Sequence, residues 1–184
     1  TDILSLDKFD KKFDIIESGG VLHHMDKPIE GWRVLTDRLK PGGLMKIGLY
    51  SELARKDITE IRREIFQSKI GSSAAEMQEF RNLLKYSANP SHKWITKSPD
   101  FYSLSAFRDL LFHVKEHAFR IPQIKYYLSK LGLKFCGFEA DEIIAHFKKT
   151  NKFRDDLYNL DKWHEYEKNN PKAFAGMYQM WCQK

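Results

Sequence analysis

The sequence is short of every feature that would set it apart from ordinary folded proteins. Only 2 of its 184 residues are cysteine, which excludes a disulfide-stapled scaffold. Cys136 and Cys182 lie in apolar, strand-like contexts and read as reduced, buried thiols of a cytoplasmic protein. Proline and glycine number 6 and 10, too few for a collagen-like rod or a low-complexity chain. No apolar run approaches the roughly 18 to 20 residues that cross a bilayer, and no signal peptide opens the chain, so no membrane partner is expected. The excess of one charge sign is small: 31 Lys and Arg against 25 Asp and Glu give +6. It is scattered in groups such as Arg62-Arg63 and Lys148-Lys149. Without a dense basic block, no nucleic-acid partner is expected. What is present, 42% hydrophobic and 14% aromatic residues, fills one core or a large part of a bigger one. The chain opens Thr1-Asp2-Ile3-Leu4, already within structured-looking sequence, so the expectation is a fragment of a longer protein.

The hydrophobic pattern alternates strand and helix. Phe13 to Ser18 (FDIIES) is a short apolar run before Gly19-Gly20 and suits a strand buried on both faces, as in a parallel sheet. Asp26 is placed to cap a helix with Pro28 in its first turn. Ile29, Trp32, Leu35 and Leu39 give that helix one apolar stripe, and Pro41-Gly42-Gly43 stops it. Leu44 to Tyr50 (LMKIGLY) is a second buried strand, and strand–helix–strand with short joints predicts a parallel pair. Residues 52–130 read as a helical insertion, with Ile58, Ile61 and Ile65 on one helix and Met77, Phe80 and Leu84 on the next. Ser87 to Asp100 reads as a loop. Phe107 to Val114 and Ile124 to Leu131 are further helices, the first ending before Pro122 and the second at Gly132. Within residues 131–184, Leu133 to Phe138 and Phe174 to Cys182 are strands, with a helix over Leu160 to Lys168. The expected class is α/β.

An open α/β sheet binds its ligand beyond the carboxyl ends of its strands, so the residues after Ile16 and after Leu49 matter most. The first group is Glu17-Ser18-Gly19-Gly20-Val21-Leu22-His23-His24-Met25, and the second is Tyr50-Ser51-Glu52. Paired glycines let backbone approach a ligand closely, because no Cβ intervenes. One crevice thereby collects imidazoles, a phenol and a carboxylate.

The stretch FDIIESGGVLHHMDKP, followed by a helix and LKPGGLMKIGLYS, resembles the fourth and fifth strands of class I S-adenosylmethionine-dependent methyltransferases. The small-molecule methyltransferases with a VLHH segment are most similar, including bacterial ones fused to tetratricopeptide repeats. That resemblance implies a Rossmann-like sheet ending in an antiparallel pair, supplied by LKFCGF and FAGMYQMWC. It implies S-adenosylmethionine as cofactor and a small-molecule acceptor. Asp2-Ile3 would meet the adenine, and Glu17, Ser18, Gly19, Gly20 and Val21 would lie along the methionine part. Leu22 and His23 would continue beside it, and His24 and Tyr50 would face the acceptor. A histidine, His23 or His24, suits a general base because its unperturbed pKa is about 6.5.

The family's glycine-rich loop after strand one and the acidic residue ending strand two have no counterpart here. The resemblance therefore implies the carboxyl-terminal half of such an enzyme, with little cofactor affinity by itself. Its first strand would present an open edge, a template for self-association.

Two other readings come from the residues. His113-Val114-Lys115-Glu116-His117 matches H-x-x-E-H, which on a helix brings both histidines to one face as in a zinc hydrolase. A third ligand is needed, and Glu139, Asp141, Glu142, Glu165 and Glu167 qualify by type alone. The second is a non-catalytic interaction module that keeps the half-sheet as a scaffold. Trp163, Tyr166, Phe174, Tyr178 and Trp181 read as core rather than a base-stacking platform.

Overall fold

A strand β1 (Phe13–Ser18) lies parallel to a strand β2 (Leu39–Ser51), joined by the helix α1 (Pro28–Arg38). They belong to a computed structural model that describes residues 2–112 and 115–184. The chain divides into two compact units, Thr1–Ala54 with Lys115–Lys184, and Arg55–Val114.

In the first unit the sheet continues through β5 (Tyr178–Gln183) to β4 (Lys134–Phe138), in the order β1-β2-β5-β4. β5 runs antiparallel to both its neighbours. This is the expected mixed sheet with parallel strands and a terminal antiparallel pair. Along β2 side chains alternate between faces. Met45, Ile47 and Leu49 are buried with Tyr178, Met180 and Cys182 of β5. They form one core with Trp32 and Leu35 of α1, Ile124 and Leu128 of α6 (Ile121–Lys130), Phe147 of α7 (Asp141–Phe147), and Trp163 of α8 (Leu160–Asn169). On the other face Lys46 Nζ lies 2.8 Å from Glu139 Oε1, and the Trp181 indole N–H donates to Glu139 Oε2 at 2.8 Å. Hydrogen bonds from Lys46 and Trp181 hold the Glu139 carboxyl below its ordinary range.

Pro41-Gly42-Gly43 behaves differently from the expected helix stop. α1 ends at Arg38, and β2 already includes the Pro-Gly-Gly segment as a bulge: Phe13 faces Leu39 but Ile15 faces Leu44. Gly42 takes φ +77, which favours glycine. The far end of β5 closes the bulge: Gly42 N–H donates to Lys184 O at 2.8 Å, and Lys184 N–H to Gly43 O at 3.1 Å. Gly43 has no room for a side chain, since a Cβ would sit 2.9 Å from both Asp14 O and Lys40 O.

Other expectations need correction. β1 is not buried on both faces: Phe13 and Ile15 are 41% and 58% exposed. Phe13 and Ile15 share one face of the strand, and an apolar run does not reveal whether another layer covers that face. Asp26 does not cap α1. Lys27 occupies that position without a side-chain bond to the helix backbone, and Asp26 pairs with Lys115 instead. β5 begins at Tyr178, later than Phe174, because Ala173 to Met177 turn; the Phe174 ring still packs 4.8 Å from those of Phe138 and Tyr178. Cys182 is buried and Cys136 only half-buried, both as thiols, and burial pushes the Cys182 thiol up to about 12.

The second unit packs α2 (Lys56–Gln67), α3 (Ala74–Tyr86), α4 (Pro90–Ile95) and α5 (Leu104–Phe112) around Ile58, Ile61, Met77, Phe80, Leu84 and Phe107. α3 starts with a Ser73/Glu76 capping box. α4 lies inside the stretch read as a loop. Asn89 caps it by accepting from Ser91 N–H, and Pro90 takes a first-turn position where no N–H is needed. The unit spans Arg55–Val114, narrower than the insertion read over 52–130. Residues 115–130 fold with the sheet, where β3 (Ala118–Phe119) pairs with the end of β2. Among the described residues no helix is long and apolar enough to cross a membrane.

Replacing Gly43 by Ala is expected to cost about 1–3 kcal/mol, the range for forcing a methyl into a filled space. Urea denaturation checks this against Gly176→Ala, where a Cβ meets nothing within 4 Å and the midpoint should hardly move.

Candidate functional site

Because β1 and β2 are parallel, both carboxyl ends reach the same edge of the sheet. Ser18 ends β1 opposite Ile47, and the next β2 residue is Gly48. A Cβ on Gly48 would lie 3.1 Å from Gly19 Cα, 3.4 Å from Gly20 N and 2.8 Å from Met177 Sδ. The missing side chain lets the loop after β1 lie directly on β2. The outer sides of Gly19 and Gly20 are open, since a Cβ on either meets nothing within 4 Å, and Gly20 takes φ +74. Beside them the buried Ser18 hydroxyl has no hydrogen-bond partner among the described residues. Leaving such a group unmatched costs about 1–3 kcal/mol, so the geometry suits a bound polar atom.

Past the glycines, Leu22-His23-His24 form a 3-10 turn. Adjacent side chains ordinarily diverge, yet this turn keeps both imidazoles beside Tyr50. The buried His23 ring lies 4.0 Å from the Tyr50 ring and 4.3 Å from that of His24, and the His24 and Tyr50 rings are 6.0 Å apart. His24 Nδ1 lies 3.1 Å from Lys115 O. A carbonyl only accepts, so Nδ1 carries the hydrogen, and in the neutral ring Nε2 is the basic nitrogen.

Residues 115–120 stitch this edge together. His117 N–H donates to His23 O at 2.8 Å, and Glu52 N–H to Phe119 O at 2.9 Å. Tyr50 and Ser51 pair with Ala118 and Phe119. Lys115 pairs with Asp26 and Arg120 with Glu52. The Lys115 ammonium holds the Asp26 carboxyl below its ordinary value.

The structure thus brings together Ser18, Gly19 and Gly20 against Gly48, and His23 and His24 against Tyr50. The remaining residues singled out in the sequence enter neither group of contacts. Glu17 is exposed, in register with Lys46, on the face opposite Ser18. Val21 is exposed ahead of the histidine turn. Asp2 caps the opening 3-10 helix by accepting Leu4 N–H, and Ile3 packs against the sheet core.

Sequence reasoning missed Glu167 in this role, naming it only among acidic residues of suitable type. On α8 it is fully buried, and its Oε1 accepts the Ser51 hydroxyl at 2.6 Å and the Tyr178 hydroxyl at 2.5 Å. Its Oε2 has no partner among the described residues. Burial pushes the Glu167 carboxyl up; the two hydroxyl donors oppose this, and the nearby Glu52 charge adds to it. Burial, followed by the adjacent Glu167, also pushes the Tyr178 phenol up.

His113 of the H-x-x-E-H segment lies outside the described residues. Glu116 and His117 sit in irregular chain before β3, not on a helix. Among the described residues no group of three His, Cys, Asp or Glu could hold a metal ion.

No protein-family model matches the chain. An uncharacterized protein of Synechococcus sp. is 25% identical over 173 residues, covering 84% of this chain and 40% of that protein. In structure the chain resembles PKMT2 from Rickettsia typhi, with TM-score 0.66 and 15% identity. It likewise resembles PKMT2 in complex with AdoHcy, with TM-score 0.66 and 18% identity. Each match covers 99% of this chain and 37% of the other. The fold is therefore a methyltransferase-like α/β fold, and the chain spans about two fifths of the length of the proteins it matches.

The raised Glu167 carboxyl predicts a pH dependence. The folded state holds this proton more tightly than the unfolded chain, whose Glu titrates near ~4.3. Stability is full below that value and falls as pH rises towards the raised folded value. Urea denaturation at about pH 4 and about pH 8 should show the wild type losing stability relative to Glu167→Gln as pH rises. Equal pH dependence in both would contradict this.

Proposed function

We propose that this chain is the acceptor-facing part of an S-adenosylmethionine-dependent methyltransferase acting on a small molecule. The observation that carries the reading is the edge where Gly48 admits Gly19-Gly20 beside an unmatched, buried Ser18 hydroxyl. The likeness in fold to a protein crystallised with AdoHcy supports it. The rest of the sheet would add along the open edge of β1 in the whole protein.

These residues fit the methionine part of the donor. Ser18 supplies a hydroxyl able to donate or accept, and the Gly19-Gly20 backbone allows close approach without a side chain. Bound S-adenosylmethionine would supply a methyl group already activated on a sulfonium. The protein's task is then chiefly orientation, which contributes up to roughly 7–11 kcal/mol in well-aligned reactions. Tyr50 and His23 form an aromatic wall beside the glycine loop. His24, with Nδ1–H turned to Lys115 O, presents Nε2 as the base for an acceptor that must lose a proton. The segment 115–120 fixes that wall by pairing with Tyr50, Ser51 and His23.

Calorimetric titration of AdoHcy tests the reading. The full-length protein should bind it, residues 1–184 alone should bind it weakly, and Ser18→Val should weaken binding about two- to tenfold, the worth of one neutral hydrogen bond. No binding by the full-length protein would overturn the proposal.

A further inference from the structure

We propose that Glu167 is a positioning residue of this site: by accepting the Ser51 and Tyr178 hydroxyls it fixes the end of β2 and so holds the Tyr50 ring against His23. Tyr50 and Ser51 are adjacent in a strand, so they point to opposite faces. Tyr50 meets His23 at a ring distance of 4.0 Å, while Ser51 points into the core and donates to Glu167 Oε1 at 2.6 Å. The Ser51 oxygen also accepts Ala54 N–H at 3.0 Å, so one hydroxyl ties the last β2 residue both to α8 and to the turn that follows. Tyr178 reaches the same Glu167 oxygen at 2.5 Å from β5, where it pairs with Leu49. Glu167 thereby joins the ends of β2, β5 and α8 beneath the tyrosine. Packing alone would be served by an apolar side chain, whereas a fully buried carboxyl is retained here at a desolvation cost.

The kinetic part rests on the methyltransferase reading, and the structural part does not. In the full-length protein, the carbon-bound imidazole protons of His23 report the Tyr50 ring by NMR. Glu167→Ala should shift them, and Glu167→Gln, which keeps an accepting oxygen, should restore them. Ser51→Ala should act like Glu167→Ala, while Tyr178→Phe should shift them little, because the route to Tyr50 runs through Ser51. If Glu167→Ala does not fold, Ser51→Ala carries the test. In methyl-transfer assays Glu167→Ala should lower kcat by up to about 100-fold, as a misplacement of roughly 1 Å can, with KM for the donor little changed and Glu167→Gln recovering most of the loss. Unshifted His23 signals in folded Glu167→Ala or Ser51→Ala would overturn the proposal. So would a Gln variant as impaired as the Ala variant. Absence of AdoHcy binding would sink the methyltransferase reading alone and leave the NMR comparison to decide the role of Glu167.

Discussion

The parallel pairing of β1 with β2, close enough for backbone to rest on backbone at Gly48, is the constraint on which the rest of the structure depends. It puts two strand ends at one edge and lets the glycine loop of β1 cross the surface of β2. From there a single 3-10 turn carries both histidines to the tyrosine that ends β2. A side chain at position 48 would crowd Gly19 and Met177 and push the glycine loop away from β2. The site is thus a consequence of backbone proximity first and of side-chain chemistry second.

Around that contact the fold supplies supports of unequal kind. Below the sheet, buried aromatics and aliphatics set the position of α1, α6 and α8 through non-directional burial. At the edge where β1 and β2 end, the supports are directional: strand pairing by residues 115–120, and the hydroxyls converging on Glu167. The exposed ion pairs Lys115–Asp26 and Arg120–Glu52 add little stability by themselves. Their place at the ends of the re-entering segment gives it a defined register.

Much of this could be read from sequence because it is local. Short apolar runs ending at Gly19-Gly20 and at Tyr50 identified both strands, and the helix between them fixed their parallel sense. The periodic stripes of α2 and α3 were equally plain. The misreadings share another cause. α4 is six residues long and mostly polar, so its Asn89-Pro90 start was the only signal available. The Pro-Gly-Gly segment has the composition of a helix stop, yet the partner that makes it a bulge, Lys184, lies at the other end of the chain. Glu167 was unreadable for the same reason, since its partner Ser51 is 116 residues away. Burial that depends on such long-range pairing has no period. The exposed flank of β1 shows the converse, an apolar strand with one side uncovered.

The central claim is that the Ser18–Gly20 loop, resting on Gly48, receives the methionine part of a sulfonium donor. A crystal structure of the full-length protein with AdoHcy tests this most directly. The account predicts the ligand's amino-acid portion against Ser18, Gly19 and Gly20, with a polar atom within hydrogen-bond reach of the Ser18 hydroxyl and its sulfur towards Tyr50. AdoHcy seated elsewhere, with the Ser18 hydroxyl untouched, would contradict it.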